Sequence, residues 1–240
     1  MITTVFDNAE ILAEKAARVI IDLVVHKPNA VLCLAGGETP RLAYTRLAAM
    51  AKGEKINFSG VEFVGLDEWV GIPPSNNGSC YYFLNEAVFK TLGVQKEKIH
   101  FFNSMSNNLP AECERVNSNV SERGGIDLIL VGVGMNGHIG FNEPGISPEL
   151  LAHVVELEAS TKEVGQKYFS STTALSKGIS LGMAQVMQAR KVLLLATGSK
   201  KADIIKKALQ EKITNAVPAS LIRNHPNAFV LLDKAAASLL

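Results

Sequence analysis

Five apolar runs, Ala30 to Ala35, Val61 to Leu66, Ile126 to Val131, Lys191 to Thr197 and Ala228 to Asp233, are separated by helix-forming stretches. That alternation limits the fold more than any other feature of the chain. Each run is strand-length and nearly unbroken, as expected of strands buried on both faces of a parallel sheet. Ile11, Leu12, Ala16, Val19, Ile20 and Leu23 share one helical face behind a capping-box pattern at Asp7 and Glu10, and this helix must stop near Lys27-Pro28. Thr39 and Pro40 suit the cap and first position of a second helix, which Gly53 closes. Ser79 to Leu92, Ala111 to Gly124, Gly182 to Ala189 and the stretch after Gly198 to about Leu209 read as further helices. The pattern predicts an α/β fold, a mostly parallel sheet with helices on both faces. No linker, low-complexity tract or internal repeat interrupts the 240 residues, so a single domain, 1–240, entered directly through its first helix, is expected. Right-handed crossovers bring the post-strand loops to one edge, so polar loops distant in sequence should be neighbours.

Four of those loops carry chemistry. The segment Gly132-Val133-Gly134-Met135-Asn136-Gly137-His138-Ile139-Gly140-Phe141-Asn142-Glu143-Pro144-Gly145 packs an amide, an imidazole and a carboxylate among glycines and a proline. It cannot be a helix, and its glycines allow close backbone approach to a ligand. His138 and Glu143 suit an acid–base pair in which the carboxylate fixes the ring's tautomer, and Asn136 can hold the loop or the ring. Gly132, Gly134 and Gly137 match a dinucleotide fingerprint, but Gly140, Pro144 and Gly145 forbid the helix that it needs. Gly36-Gly37-Glu38-Thr39-Pro40 offers backbone N–H groups at a helix start, either an anion cradle or a well-capped turn. Gly198-Ser199-Lys200-Lys201 sets lysines against a helix macrodipole, an arrangement that a bound phosphate would reverse, with Lys201 the preferred ligand. Asp67-Glu68 ends a strand with carboxylates; partial desolvation makes a general base there, although capping is the commoner use. Trp69 reads as packing.

The net charge of +1 gives no reason to expect nucleic acid or an anionic membrane as a partner. No apolar run reaches transmembrane length. Cys33, Cys80 and Cys113 show no metal-ligand spacing, and Met1 to Glu14 lacks the layout of a signal peptide. A cytoplasmic protein acting on a small molecule is expected, as a monomer or a homo-oligomer.

These residues resemble the glucosamine-6-phosphate deaminase/isomerase family. The likeness covers essentially the whole chain, through the Gly-Gly-x-Thr-Pro turn, Leu66-Asp67-Glu68-Trp69-Val70 and, most specifically, Gly137-His138-Ile139-Gly140-Phe141-Asn142-Glu143-Pro144. The resemblance implies a doubly wound α/β sheet. It implies conversion of a hexosamine 6-phosphate to a ketohexose 6-phosphate with loss of ammonia, without metal or cofactor. Asp67 would move the C2 proton to C1, His138 would act on the ring oxygen, and Glu143 would orient and charge-balance the imidazole beside Asn136. Gly36, Gly37, Thr39, Lys201 and Lys167 would hold the 6-phosphate, with Glu68 and Gly137 completing the substrate site.

Asn136 stands where some members have aspartate, and an amide orients without stabilising an imidazolium by charge. Lys167 stands where well-known members have an arginine, so it binds as a point charge without the bidentate fork. Members activated by N-acetylglucosamine 6-phosphate use a basic cluster after the Asn-Glu-Pro segment; His153-Val154-Val155-Glu156 lacks it, so no such activation is expected. Leu-Asp-Glu-Trp-Val, Cys80 and Val217-Pro218-Ala219-Ser220 are also similar to galactosamine-6-phosphate isomerases, which leaves the C4 epimer open. Two other functions stand beside this one: a 6-phosphogluconolactonase-like hydrolase, and a non-catalytic sugar-phosphate sensor domain.

Overall fold

A computed structural model describes residues 1–240. At its centre is a seven-stranded parallel sheet of β1 (Ile2–Phe6), β2 (Val31–Leu34), β3 (Glu62–Gly65), β5 (Ile99–His100), β6 (Leu128–Val131), β9 (Val192–Ala196) and β10 (Ala228–Asp233). The spatial order is β1-β10-β9-β6-β2-β3-β5. One face is covered by α1 (Ala9–His26), α2 (Glu38–Gly53) and α3 (Cys80–Leu84), which continues through a π-helical turn into α4 (Lys90–Leu92). The other is covered by α5 (Leu109–Glu122), α7 (Met183–Gln188) and α8 (Ala202–Gln210). Strand β2 shows why both layers are needed: Val31 and Cys33 enter the core beneath α5, α7 and α8, while Leu32 and Leu34 enter the core beneath α1 and α2. The α/β class, the parallel sheet and the two helical layers are as the sequence pattern predicts. No helix is long and apolar enough to cross a membrane.

Several local readings need correction. The chain enters through β1, which pairs in parallel with β10, and not directly through a helix. Its residues Ile2 to Val5 are all exposed, so no burial pattern announces it. Helix α1 is capped by Asn8, whose Oδ1 accepts the Ile11 N–H at 3.0 Å, while Asp7 pairs with Lys234 at 2.6 Å. Helix α2 starts at Glu38 with Gly37 as its cap, so Thr39 and Pro40 lie inside the first turn. Gly37 holds that corner at φ 117°, which a side chain would disfavour.

The largest departure is a second, antiparallel sheet of β4 (Asp67–Trp69), β8 (Lys177–Ser180) and β7 (His153–Glu156), with α6 (Ala159–Gly165) between β7 and β8. These strands are short, and Gly178 interrupts the apolar pattern of β8. A Cβ at Gly178 would lie 2.4 Å from the Phe141 ring, so glycine is required where the sheet rests on that side chain. The small sheet buries Trp69, Phe141, Val155 and Leu157, and the Trp69 and Phe141 rings lie 4.6 Å apart. Trp69 packs in this small core and also borders the cavity described below.

From β2 the chain runs outward to β3 and β5 on one side, and later fills β6, β9 and β10 on the other. The loops after β2 and β6 therefore flank the point where the strand order reverses, which is where open α/β sheets accept ligands.

Candidate active site

A cavity of about 340 Å³ opens at this switch point. Gly36, Gly37, Thr39, Asp67, Asn136, His138, Lys167 and Lys201 all line it, although 165 positions separate the first from the last (Lys201 minus Gly36). Three expected site residues do not line it: Glu68, Gly137 and Glu143.

Asp67 and Glu68 are adjacent on β4, so their side chains leave opposite faces. Asp67 turns to the cavity. Glu68 turns away, is 1% exposed, and accepts the backbone N–H groups of Trp69, Cys80 and Tyr81 at 2.9–3.0 Å. It bridges β4 to the start of α3 and does not line the cavity. Its charge still matters to its neighbour. Burial, then repulsion from Glu68, push the Asp67 carboxyl from 3.8 to about 7, against an opposing hydrogen bond from the Cys80 thiol. A carboxylate poised near neutrality is what a general base needs.

His138 sits in the loop after β6, and Gly134 makes room for it. A Cβ on Gly134 would fall 2.2 Å from the imidazole Nε2 and Cδ2. Gly134 is not held at positive φ, so alanine is compatible with its backbone but not with the ring. Gly134→Ala is expected to lower kcat about a hundredfold by displacing the imidazole, with a melting temperature within a few degrees of wild type. Steady-state kinetics beside a thermal melt checks this, and an unchanged kcat would contradict the placement. Gly137 acts elsewhere: it takes φ 89° and packs against Val217 and Ile204, while its carbonyl accepts the Ala219 N–H at 2.9 Å. It shapes the loop and does not face the cavity.

Behind His138 lies Glu143, 2% exposed. Its Oε2 is 3.2 Å from His138 Nδ1 and accepts from Asn136 Nδ2 at 2.8 Å. Asn136 Oδ1 in turn accepts the His138 backbone N–H at 3.2 Å, so the amide spans ring and carboxylate. Burial pushes the Glu143 carboxyl up, but the adjoining imidazole, Thr161 and Asn136 outweigh it and hold the group below its usual range. An ionised carboxylate only accepts, so Nδ1 carries the proton and donates. That leaves Nε2 as the working nitrogen on the cavity side. Glu143 therefore positions the ring without touching the cavity.

At the other end, the start of α2 presents Gly36, Gly37 and Thr39, and a short helical turn at Ser199–Lys201 presents Lys201. Lys201 is half-buried, and its Nζ donates to the Val133 carbonyl at 2.7 Å. Burial, then repulsion from Lys167, push it down from 10.5 to about 8. Two cations facing one helix N-terminus make a strongly anion-seeking end. Lys167 is carried by the turn after α6, next to Tyr168.

Sequence reading missed Thr161, Tyr168, Gly134, Gly140 and Arg41, all of which line the cavity. Gly140 gave a signal, because glycine was already notable in that loop; at φ 56° its missing side chain leaves space for Asp67 Oδ2 and Ser180. Thr161 and Tyr168 gave none, since each looks ordinary on its own segment.

The chain matches the family described as glucosamine-6-phosphate isomerases/6-phosphogluconolactonase over residues 6–231. A glucosamine-6-phosphate deaminase of Clostridium botulinum is 41% identical over 237 residues, covering 98% of this chain and 95% of the relative. One of Thermoanaerobacter pseudethanolicus is 38% identical, covering 97% and 92%. The solved structure of a monomeric glucosamine-6-phosphate deaminase, 34% identical, superposes over 100% of both chains with a TM-score of 0.97. A 6-phosphogluconolactonase from Trypanosoma brucei shares the fold at 21% identity, with a TM-score of 0.76 over 100% of this chain and 98% of that one. On extent and identity alike, this chain belongs to the glucosamine-6-phosphate isomerase/6-phosphogluconolactonase family.

Proposed function

We propose that the chain converts glucosamine 6-phosphate and water to fructose 6-phosphate and ammonia. The observation that carries this reading is that Asp67, His138, Lys167 and Lys201 line one cavity, a base and an imidazole facing an anion-seeking end. The phosphate binds at Gly36, Gly37, Thr39, Lys167 and Lys201, remote from the reacting carbons, so its binding energy positions C1 and C2. His138 Nε2 takes the proton from the anomeric O1–H and returns it to the ring oxygen as the C1–O5 bond breaks, giving the open-chain aldehyde. Asp67 removes the proton from C2, and the electron pair forms the C1–C2 double bond while the aldehyde π pair moves onto O1, which takes a proton from solvent to give the enol bearing the amino group. The same carboxyl returns the proton to C1 as the nitrogen lone pair forms the C2–N double bond and the nitrogen gives one proton to solvent. The resulting C2 imine adds water and loses ammonia, leaving the ketone.

The 41% identity to a deaminase supports this over the lactonase reading, since the lactonase structure reported above is 21% identical. A pure sensor has no use for a carboxyl held near 7 that shares a cavity with an oriented imidazole. The glucosamine epimer follows the relatives' activity. The test is ammonia release from glucosamine 6-phosphate and galactosamine 6-phosphate, beside hydrolysis of 6-phosphogluconolactone. We expect ammonia from both hexosamines, with kcat/KM about tenfold or more in favour of the glucosamine epimer, and only background lactone hydrolysis. Rapid lactone hydrolysis without ammonia release would overturn the reading.

The stretch His153–Glu156 forms β7 and carries no lysine or arginine. Saturation by the hexosamine phosphate is therefore expected to be hyperbolic and unaffected by N-acetylglucosamine 6-phosphate. A Hill coefficient clearly above one that responds to this compound would contradict that expectation.

A further inference from the structure

The His138 ring is held by more than Glu143. Thr161, in the first turn of α6, is 5% exposed, and its Oγ1 lies 3.2 Å from the same Nδ1. A buried hydroxyl normally has a partner, and here that partner is the imidazole. Because Nδ1 carries the proton, it is shared between Glu143 Oε2, also at 3.2 Å, and Thr161 Oγ1 as acceptors. The threonine's own O–H remains free to donate, and it helps to hold the Glu143 carboxyl in its charged form. One hydroxyl thus accepts from the ring and supports the carboxylate, two roles that an aliphatic side chain of the same shape lacks. Helix α6 is tied to the pair a second time, since the Glu158 N–H donates to Glu143 Oε1 at 3.3 Å. The turn that follows α6 carries Lys167 and Tyr168 to the cavity wall.

We propose that Thr161 is a positioning residue for ring opening: with Glu143 it fixes the Nδ1–H tautomer and the plane of His138, so that Nε2 meets O1 and O5 of the closed sugar. This rests on the deaminase reading given above. It also puts the imidazole's support and Lys167 on one continuous segment, so a phosphate held by Lys167 steadies the helix that sets the ring.

The experiment compares Thr161→Val and Thr161→Ser on two substrates by ammonia release. One is glucosamine 6-phosphate. The other is its 4,5-dideoxy analogue, which has neither a C4 nor a C5 hydroxyl, cannot close a furanose or a pyranose, and so bypasses ring opening. Thr161→Val is expected to lower kcat for glucosamine 6-phosphate about tenfold with KM changed less than about twofold. Its kcat for the 4,5-dideoxy analogue stays at the wild-type value, and Thr161→Ser restores kcat for glucosamine 6-phosphate. Should the valine variant not fold, Thr161→Ala is expected to give the same split. Equal slowing of both substrates, no slowing of the closed one, or a serine variant as slow as valine each overturns the proposal. Wild-type enzyme that releases no ammonia from either compound overturns the deaminase reading instead.

Discussion

Asp67→Asn is expected to lower kcat about a hundredfold to ten-thousandfold, to abolish exchange of the C2 proton with solvent, and to leave substrate binding nearly intact. It is also expected to stabilise the protein at neutral and alkaline pH. In the folded chain the carboxyl titrates at about 7, against an ordinary 3.8. Below about pH 4 both the folded and unfolded chains carry the proton, and the group has no effect on stability. As pH rises from there toward 7, ionisation favours the unfolded chain, and above 7 the whole penalty for holding a charge beside Glu68 in a half-buried site is present. Asparagine removes that penalty. After discounting for partial exposure, the gain at pH 8 is about 1–3 kcal/mol, a rise of roughly 2–4 °C in Tm per kcal/mol. The gain should fade to nothing near pH 4. Melts of both proteins across that range, run beside the exchange measurement, check the two halves together. An asparagine variant that is inactive but less stable at pH 8 would show that Asp67 is structural, with its loss of activity secondary.

Lys201→Met is expected to lower kcat/KM about 10- to 150-fold, the worth of one charge-assisted hydrogen bond to phosphate. It should also change the pH profile. In the free enzyme Asp67 must be ionised, which requires a pH above about 7, and Lys201 must be charged, which requires a pH below about 8. The kcat/KM profile of the wild type is therefore a narrow bell between those values. A bound phosphate dianion stabilises the ammonium, so in kcat the alkaline limb moves to higher pH. Methionine cannot titrate, and its variant should keep the acid limb and lose the alkaline one. Profiles of kcat and kcat/KM for the two proteins decide this, and a bell that survives in Lys201→Met assigns the alkaline limb to another group.

The parts of the fold that show in the sequence are those whose burial is two-sided. β6 is an uninterrupted apolar run and β10 is apolar up to its terminal aspartate, and the run Ala228 to Asp233 in the sequence coincides with the strand. β1 escapes because it is an exposed edge strand, and β7 and β8 because short strands with a glycine or a terminal charge carry no clear period. Candidate site residues were readable where they broke a local rule: lysines at a helix start, a histidine among glycines, carboxylates at a strand end. Which of Asp67 and Glu68 faces the cavity was not readable, because both types suit both tasks and only the path of β4 separates them. Thr161 was invisible for another reason. It obeys every rule of a helix's first turn, and its partner His138 is 23 positions away.

The most direct measurement follows the hydrogen on C2. Glucosamine 6-phosphate labelled with tritium at C2 is turned over while ammonia and label are both monitored. We predict that each ammonia is accompanied by loss of the label from C2, recovered at C1 of fructose 6-phosphate and in water, and that Asp67→Asn stops both. Ammonia released while the label stays on C2 of a product that is still an aldose would contradict a base at Asp67 and the proton shift built on it.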